Sequence, residues 1–172
     1  MIIRKASQTD IPDISRIYAR SWKAAYRGMV PQPYLDRLPD GHWVEAFTGW
    51  FSEGLYEALL ICDGQIPVGC AAFGPSRDEK CPGPQWAEIQ SLYLLPEYIG
   101  RGYGKALFGA VLSALETAGF EAAYLWVLRE NERARRFYAA AGFSGNGDLY
   151  TVEIEGKLLT DDRLIRRLRD IT

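Results

Sequence analysis

The chain has 172 residues, a length that fits one domain, residues 1–172, large enough to bury a hydrophobic core. Twenty Lys and Arg residues against 22 Asp and Glu residues give a net charge of −2, and hydrophobic residues make up 48% of the chain, as in ordinary globular proteins. A nearly neutral chain without a basic block argues against a nucleic-acid partner, and no apolar run approaches the roughly 18 residues that a membrane span needs.

Cysteine and histidine content bounds the metal and redox chemistry. The three cysteines, Cys62, Cys70 and Cys81, form no C-x-x-C pair, and His42 is the single histidine, so no zinc set can be assembled. We therefore expect no metal cofactor. The odd number of cysteines and an N-terminus, Met1–Lys5, that lacks the apolar core of a signal peptide predict a protein of the reducing cytoplasm.

The first third of the chain predicts one short strand and three helices, at residues 2–6, 10–28, 31–38 and 43–51. This part is rich in aromatic side chains, and two interpretations stay open for them. Large aromatic residues at helical spacing usually pack in a core. Alternatively, Trp22, Tyr26 and Tyr34 form the wall of a substrate pocket.

The middle of the chain predicts a hairpin and then a central strand. Residues 56–62 and 66–73 are strand-like runs joined by Asp63-Gly64, a strong signal for a two-residue hairpin turn. After a polar loop at residues 74–84, the run Trp86–Leu95 predicts another strand, which ends before Pro96.

A glycine-rich turn follows that strand and opens a long apolar helix that ends near Gly119. Gly100, Gly102 and Gly104 allow the backbone to approach a ligand, and the free N–H groups of the helix start favour an anion such as phosphate. The turn lacks the G-x-x-x-x-G-K-[ST] spacing of a P-loop and the G-x-G-x-x-G spacing of a dinucleotide-binding fold.

The last third predicts a strand at residues 122–128, parallel to the central strand, and a helix that begins at Asn131 and ends at Gly142. Residues 149–154 and 159–168 predict two antiparallel strands around Gly156. A helix over residues 161–169 is the competing prediction for the second of these segments.

Two motifs in this order give the chain a family resemblance. Residues 99–104 resemble the [QR]-x-x-G-x-[GA] signature of the GNAT superfamily of acetyl-CoA-dependent N-acetyltransferases, and residues 131–143 resemble its N-x-x-A-x-x-F-Y-x-x-x-G-F segment. The resemblance covers nearly the whole chain. It implies an α/β (α+β) fold, the GNAT fold, with a mixed central sheet of about seven strands flanked by about four to five helices.

The resemblance also implies a function. The expected activity is transfer of an acetyl group from acetyl-CoA to a primary amine of a small molecule or peptide, by direct transfer in a ternary complex. The alternative is an acyl-CoA sensor domain without turnover, because Ile99 replaces the Gln or Arg of the signature and removes one side-chain contact to the pyrophosphate. The sequence does not identify the amine, and it permits a homodimer without requiring one.

By analogy with the family, the cofactor is held by the amides of Leu92 and Leu94 on the central strand, by the glycine-rich turn and by Asn131. The predicted contacts in the turn are Gly100, Arg101, Gly102, Tyr103, Gly104 and Lys105, with Arg101 or Lys105 compensating for Ile99. Trp22 and Tyr26 are the predicted contacts to the amine.

Two residues are candidates for the proton transfers. Tyr138 lies seven residues after Asn131, hence on the same helical face. Periodicity alone favours a core aromatic residue at this position, and the motif around it reverses that preference and makes Tyr138 the candidate acid for the leaving thiolate. Glu88 is the candidate base, and period-two alternation would place it on one strand face with Gln90, Leu92 and Leu94. A water chain that includes Gln90 is the alternative base.

Two further residues are not assigned to catalysis. His42 follows Asp40-Gly41 in a turn and is expected at the surface. Cys81 is expected in an exposed loop with no base nearby in sequence, which argues against an acetyl-cysteine route.

Overall fold

The computed structural model describes residues 1–81 and 83–168, and these form a single mixed sheet flanked by five α-helices. The elements in chain order are β1 (Ile2–Lys5), α1 (Ile11–Ala25), α2 (Gln32–Arg37), α3 (Val44–Ser52), β2 (Glu57–Asp63), β3 (Ile66–Pro75), β4 (Trp86–Leu94), α4 (Tyr103–Thr117), β5 (Ala122–Leu128), α5 (Glu132–Ala140), β6 (Ser144–Ile154) and β7 (Lys157–Arg167). The α/β fold class is confirmed.

The described sheet has seven strands in the order β1-β2-β3-β4-β5-β7-β6. The pair β4 and β5 is parallel, as the strand-helix-strand pattern predicted, and every other neighbouring pair is antiparallel. The C-terminal segment is a strand, β7, so the competing helix over residues 161–169 was wrong within the described residues; Arg169 lies outside them.

Helices cover both faces of the sheet. On β4, the Tyr93 ring packs against Tyr18 of α1 with centroids 4.6 Å apart, while the neighbouring Leu94 lies under Gly104 of α4. Because adjacent residues of a strand point to opposite faces, α1 and α4 lie on opposite faces of the sheet. In the described part of the chain, no helix is both long and apolar enough to cross a bilayer.

Arg163 is a buried cation on which the β3–β4 loop is folded. The residue is 2% exposed, and its guanidinium lies over the rings of Tyr124 at 5.0 Å and Trp126 at 4.6 Å. It forms an ion pair with Asp78 of the loop and donates a hydrogen bond from Nη1 to Cys81 Sγ at 2.7 Å. A buried guanidinium needs such partners, because an unpaired charge in the interior is very costly.

This arrangement overturns the expectation that Cys81 is exposed. The Cys81 side chain is 4% exposed, because the polar loop around it folds inward onto Arg163 instead of extending into solvent. Sequence composition suggested a surface loop, but it did not reveal that a distant arginine on β7 draws this loop into the interior.

Replacing Arg163 by Leu should therefore destabilise the protein and uncover Cys81. Asp78 would lose its buried counter-ion, and we expect a loss of about 2–4 kcal/mol in the free energy of unfolding, measured by urea titration. Cys81 should then react with Ellman's reagent in the folded state, whereas the wild-type thiols, all buried, should react slowly. Arg167→Leu, at an exposed position of the same strand, is the control. Unchanged stability and thiol reactivity in Arg163→Leu would contradict this role.

Candidate active site

A cleft opens in the centre of the sheet where β4 and β5 separate. The two strands pair only at their beginnings, through Trp86 with Ala122, Ala87 with Ala123 and Glu88 with Tyr124. Beyond these pairs the strands diverge around a cleft of about 450 Å³. Its walls come from α1, β4, the glycine-rich turn, β5 and α5. A gap between two central strands is an unusual feature that exposes main-chain polar groups to a ligand.

The amides of Leu92 and Leu94 face this cleft. Leu95 N donates a hydrogen bond to Val68 O of β3 at 2.8 Å, and by period-two alternation Tyr93 also directs its N–H group to β3. The N–H groups of Leu92 and Leu94 must then point away from β3, towards β5. The Leu94 carbonyl confirms this orientation, because it accepts a hydrogen bond from Ser21 Oγ of α1 at 2.6 Å.

A β-bulge at Gln90 sets the position of these groups. Ala72 of β3 pairs with Ser91, whereas the next residue, Phe73, pairs with Ile89, so Gln90 is the extra residue of β4. The Tyr18 hydroxyl of α1 holds the bulge, since it bonds to Gln90 Oε1 at 3.1 Å and to Ser91 Oγ. Tyr18 thereby links α1 to the residues of β4 at which the alternation of side-chain faces is interrupted.

The bulge overturns one prediction from the sequence. Glu88, Gln90, Leu92 and Leu94 do not share a face of β4. Cross-strand partners lie on the same face, so the extra residue moves Glu88 to the α1 face and leaves Leu92 and Leu94 on the α4 face. The simple period of two fails here because a bulge inserts one residue into the alternation.

The glycine-rich turn forms one end of the cleft. Gly102 caps α4 with a φ of 86°, and Gly100 has a φ of 79°, values in the left-handed region that glycine adopts without strain. The first helical bond of α4 runs from Ala106 N to Gly102 O, so the preceding N–H groups have no partner within the helix. A helix start of this kind is an anion site, and the Lys105 side chain adds positive charge to the same wall.

The other residues of the turn do not all line the cleft. Gly104 and Ile99 line the cleft, and a Cβ atom on Gly104 would lie 3.3 Å from Leu94 Cδ1, which shows how closely α4 approaches β4. Arg101 and Tyr103 lie outside the lining. Both pack on the Tyr98 ring, with the Arg101 guanidinium 5.7 Å and the Tyr103 ring 5.1 Å from its centroid.

Helix α5 supplies the opposite wall. Asn131 caps it, because Asn131 Oδ1 accepts a hydrogen bond from Ala134 N at 3.2 Å, and both Asn131 and Tyr138 line the cleft as predicted. Tyr138 also packs against Phe108 of α4 at 5.4 Å, so it serves both the core and the cleft. Burial, and secondarily the nearby Tyr26, raise the pKa of Tyr138 above its usual range, so the phenol stays protonated at neutral pH.

Of the two predicted amine contacts, only Tyr26 lines the cleft. Its hydroxyl lies 3.3 Å from that of Tyr93, within hydrogen-bond distance. Trp22 does not line the cleft. Its ring packs against the Tyr26 ring, with centroids 4.7 Å apart, and also against Trp43. Tyr34 lies elsewhere, in a surface hollow between α2 and the β6–β7 turn.

Glu88 does not reach the cleft. Its Oε2 atom accepts a hydrogen bond from Tyr56 Oη at 2.9 Å and lies 3.9 Å from Arg77 Nε. Glu88 and Arg77 line a neighbouring hollow, and the Trp126 side chain borders both this hollow and the cleft. Gln90, the alternative from the sequence, does line the cleft. His42 is exposed, as predicted.

The sequence interpretation missed several lining residues, among them Ser21, Tyr93, Trp126 and Arg133. Arg133 follows the Asn131 cap by two residues, so the motif itself could have indicated a cation in the cleft. Trp126 is the one residue of β5 that is not fully buried, and nothing in that apolar run distinguishes it. Ser21 and Tyr93 depend on contacts between α1 and β4.

The sequence is similar to those of known acetyltransferases. A sequence profile of the Acetyltransferase (GNAT) family matches residues 14–143. The chain is 32% identical over 130 residues to the N-acetyltransferase YuaI of Bacillus subtilis strain 168, covering 75% of this chain and 72% of YuaI. It is 31% identical over 140 residues to an N-acetyltransferase of Archaeoglobus fulgidus, covering 81% and 90% of the two chains.

Solved structures show the same fold. The PaiA N-acetyltransferase of Thermoplasma acidophilum, crystallised in complex with coenzyme A, superposes with a TM-score of 0.73 at 21% sequence identity. The match covers 96% of this chain and 98% of PaiA. At 21% sequence identity, this similarity is evidence for a shared fold only.

Substitutions at two glycines, Gly102 in the turn and Gly109 in α4, test the anion site. Gly102→Ala should weaken binding of coenzyme A, measured by calorimetry, because the left-handed conformation at residue 102 costs any other residue about 1–2 kcal/mol. Gly109→Ala is the matched control: Gly109 lies within α4, a Cβ atom there would meet no neighbour within 4 Å, and its backbone is helical. Gly109→Ala should stabilise the helix by about 0.5–1 kcal/mol and leave coenzyme A binding unchanged. Equal affinities for Gly102→Ala and wild type would contradict the site.

Proposed function

The chain belongs to the GNAT family of acetyltransferases, and on that basis we propose that it transfers the acetyl group of acetyl-CoA to a primary amine of a small molecule or peptide, by direct attack within a ternary complex. The observation that carries the proposal is the cleft between β4 and β5, which places two main-chain amides, a helix start and a protonated tyrosine around one cavity.

The residues of the cleft fit the proposed co-substrate. Acetyl-CoA would supply the activated acetyl thioester. The N–H groups at the start of α4, with Lys105 and Arg133, suit its pyrophosphate, and the amides of Leu92 and Leu94 suit the carbonyl groups of its pantetheine arm and thioester. Lys105 and Arg133 supply the cationic side chains at the end where Ile99 replaces the Gln or Arg of the family signature.

The proposed reaction needs two proton transfers. The neutral amine attacks the thioester carbonyl carbon, so that a C–N bond forms and the C–S bond breaks. Tyr138 donates its proton to the departing sulfur, which suits a phenol that burial keeps protonated. Water beside Gln90 carries the proton of the amine to Glu88, the proposed terminal base, across the rim that Trp126 forms between the cleft and the hollow of Glu88.

Tyr138→Phe tests the acid. With acetyl-CoA and a panel of primary amines, release of free thiol should be slowed about 10- to 100-fold or more, because the thiolate would lose its proton donor. The KM for acetyl-CoA should change little, since the ring and its packing remain. Tyr98→Phe, at a tyrosine outside the cleft, is the control. Turnover by Tyr138→Phe at the wild-type rate would remove Tyr138 from the mechanism.

The same assay separates an enzyme from an acyl-CoA sensor. Tight binding of acetyl-CoA without thiol release across the whole amine panel would support the sensor, which Ile99 first suggested. Location in the reducing cytoplasm is part of the proposal, supported by the three free cysteines of the described chain.

Glu88→Gln tests the terminal base. At neutral pH, kcat/KM for the amine should fall about 10- to 100-fold, because the proton of the amine would lose its acceptor. Coenzyme A affinity should be retained, because Glu88 lines the neighbouring hollow and not the cleft. Glu79→Gln is the matched control, since Glu79 lines the same hollow from the exposed loop. If both variants retain wild-type kcat/KM, the proton leaves by another route.

A further inference from the structure

Asp161 of β7 is a carboxylate without a counter-ion. Its neighbour Asp162 pairs with Arg129 at 2.8 Å and with Arg135, whereas the Asp161 side chain has neither an ion pair nor a hydrogen bond within residues 1–81 and 83–168. Asp161 is half-buried, and this burial, with the charge of Asp162, raises the pKa of Asp161 to about 6. A carboxylate held in this way is costly to the fold and is typical of a binding site.

Aromatic rings flank Asp161 within the sheet. Cross-strand pairing places Leu128 of β5 on one side of Asp161 and Tyr150 of β6 on the other, all on the same face. Trp126 lies two residues before Leu128, and its ring centroid is 6.0 Å from that of Tyr150. Asp161 therefore lies beside a Trp-Tyr pair. The Arg163 guanidinium already lies over the Trp126 ring at 4.6 Å, whereas the Tyr150 ring is 56% exposed beside the carboxylate.

Tyr26, the residue that caps the C-terminus of α1, lies within range of the Asp161 charge. Burial, and then the charge of Asp161, raise the pKa of Tyr26, an effect that the hydrogen bond with Tyr93 opposes. The apolar packing supports this proximity of Tyr26 and Asp161. Leu128 and Leu159 are the neighbours of Asp161 on this face, and both belong to the apolar cluster against which Tyr26 packs. Tyr26, Trp126, Tyr150 and Asp161 together form what we call the acidic aromatic box, and Tyr26 and Trp126 connect it to the cleft.

Two cations of β7 have partners of their own. Arg163, two residues along the same face of β7, pairs with Asp78 and lies 3.6 Å from Asp148 through its Nε atom. Lys157 donates a hydrogen bond to Met29 O and lies 3.7 Å from Glu130. Arg163 also lies over Trp126, a member of the box, but it forms no ion pair with Asp161, so within the described residues the Asp161 carboxylate keeps no ion-pair partner.

We propose that the acidic aromatic box binds a positively charged nitrogen of the acceptor, so that the preferred acceptors are amines with a second cationic group besides the nitrogen that is acetylated. A carboxylate with aromatic rings on several sides binds an ammonium group through charge and cation–π attraction. The bound nitrogen is not the reacting one, because a carboxylate stabilises the protonated amine and only a neutral amine attacks the thioester. Tyr26 belongs to the box and also lines the cleft with Tyr138, so the bound nitrogen would lie on the Asp161 side of Tyr26 and the reacting nitrogen on the cleft side.

This inference rests on the proposed function, and kinetics test the two together. Linear diamines, from diaminopropane to diaminohexane, are compared with the monoamines propylamine to hexylamine as acceptors. In Asp161→Asn, the KM of the best diamine should rise about tenfold or more, while the KM values of the monoamines and of acetyl-CoA should change less than about twofold. Glu153→Gln, a loss of one exposed negative charge on β6, is the control and should behave as wild type.

A binding and stability measurement separates the inference from the proposed function. Calorimetry with diaminohexane in the presence of coenzyme A should show binding to wild type and much weaker binding to Asp161→Asn, whether or not any amine is acetylated. The melting temperature supplies a second criterion. The pKa of Asp161 in the folded state is about 6, above the usual value of an aspartate, so the contribution of Asp161 to stability should fall as the pH rises from about 4 to about 6 and above.

Asp161→Asn should lack this loss and should melt at a higher temperature than wild type at pH 8 and at a similar one at pH 4. The ionisable groups around Asp161 are Tyr26, Tyr150, Asp162 and Arg163, and all of them are retained in the variant. A purely structural aspartate would give the opposite result, since its removal would lower the melting temperature at pH 8.

Several outcomes would overturn the inference. These are a wild-type enzyme that does not prefer diamines, equal changes in KM for monoamines and diamines, or undiminished calorimetric binding of diaminohexane to Asp161→Asn. If that variant does not fold, Tyr150→Leu, at a ring that is 56% exposed, tests the box and should weaken diamine binding several-fold. Absence of acetylation with every amine would reject the proposed function, and the calorimetry would still decide the box.

Discussion

The separation of β4 from β5 is the constraint on which the rest of the structure depends. Two central strands stop pairing after Glu88, and their main-chain groups face a cleft instead of each other. Unpaired backbone groups in an interior cost free energy, so the fold has to satisfy them or reserve them for a ligand. Ser21 satisfies the Leu94 carbonyl, and the amides of Leu92 and Leu94 are directed into the cavity. The bulge that sets this geometry is held by Tyr18 of α1.

Charge is distributed unequally around the cleft. The cofactor wall has the start of α4, Lys105 and Arg133, all of which favour an anion. Tyr26 lines another part of the cleft, and the charge of Asp161 acts on its phenol, which on our proposal favours a cationic acceptor there. In the proposed reaction, this opposite polarity would orient two substrates of opposite charge within the cleft, which Leu92 and Tyr138 both line. Buried Arg163 keeps the β3–β4 loop folded against the sheet beside the acceptor side.

Much of the candidate site could be predicted because its signals are local. A helix start with alternating glycines, and an Asn cap seven residues before a tyrosine, are short motifs whose geometry follows from helix periodicity and capping. The structure accordingly places Gly102, Lys105, Asn131 and Tyr138 on one cleft. Glu88 could not be placed in this way, because a bulge at Gln90 changes the alternation and its position depends on the partner strand.

The sequence by itself determined the α/β class, the parallel β4–β5 pair, the glycine-rich helix start and the α5 cap, because each follows from periodicity, turn chemistry or capping within a few residues. Only the tertiary structure decided the face of Glu88, the burial of Cys81 under Arg163 and the position of Asp161 among aromatic rings. These features depend on contacts between residues far apart in the chain, for which no local pattern exists. Strand register and the pairing of buried charges are settled only when the whole sheet assembles, because one inserted residue or one distant counter-ion changes the outcome.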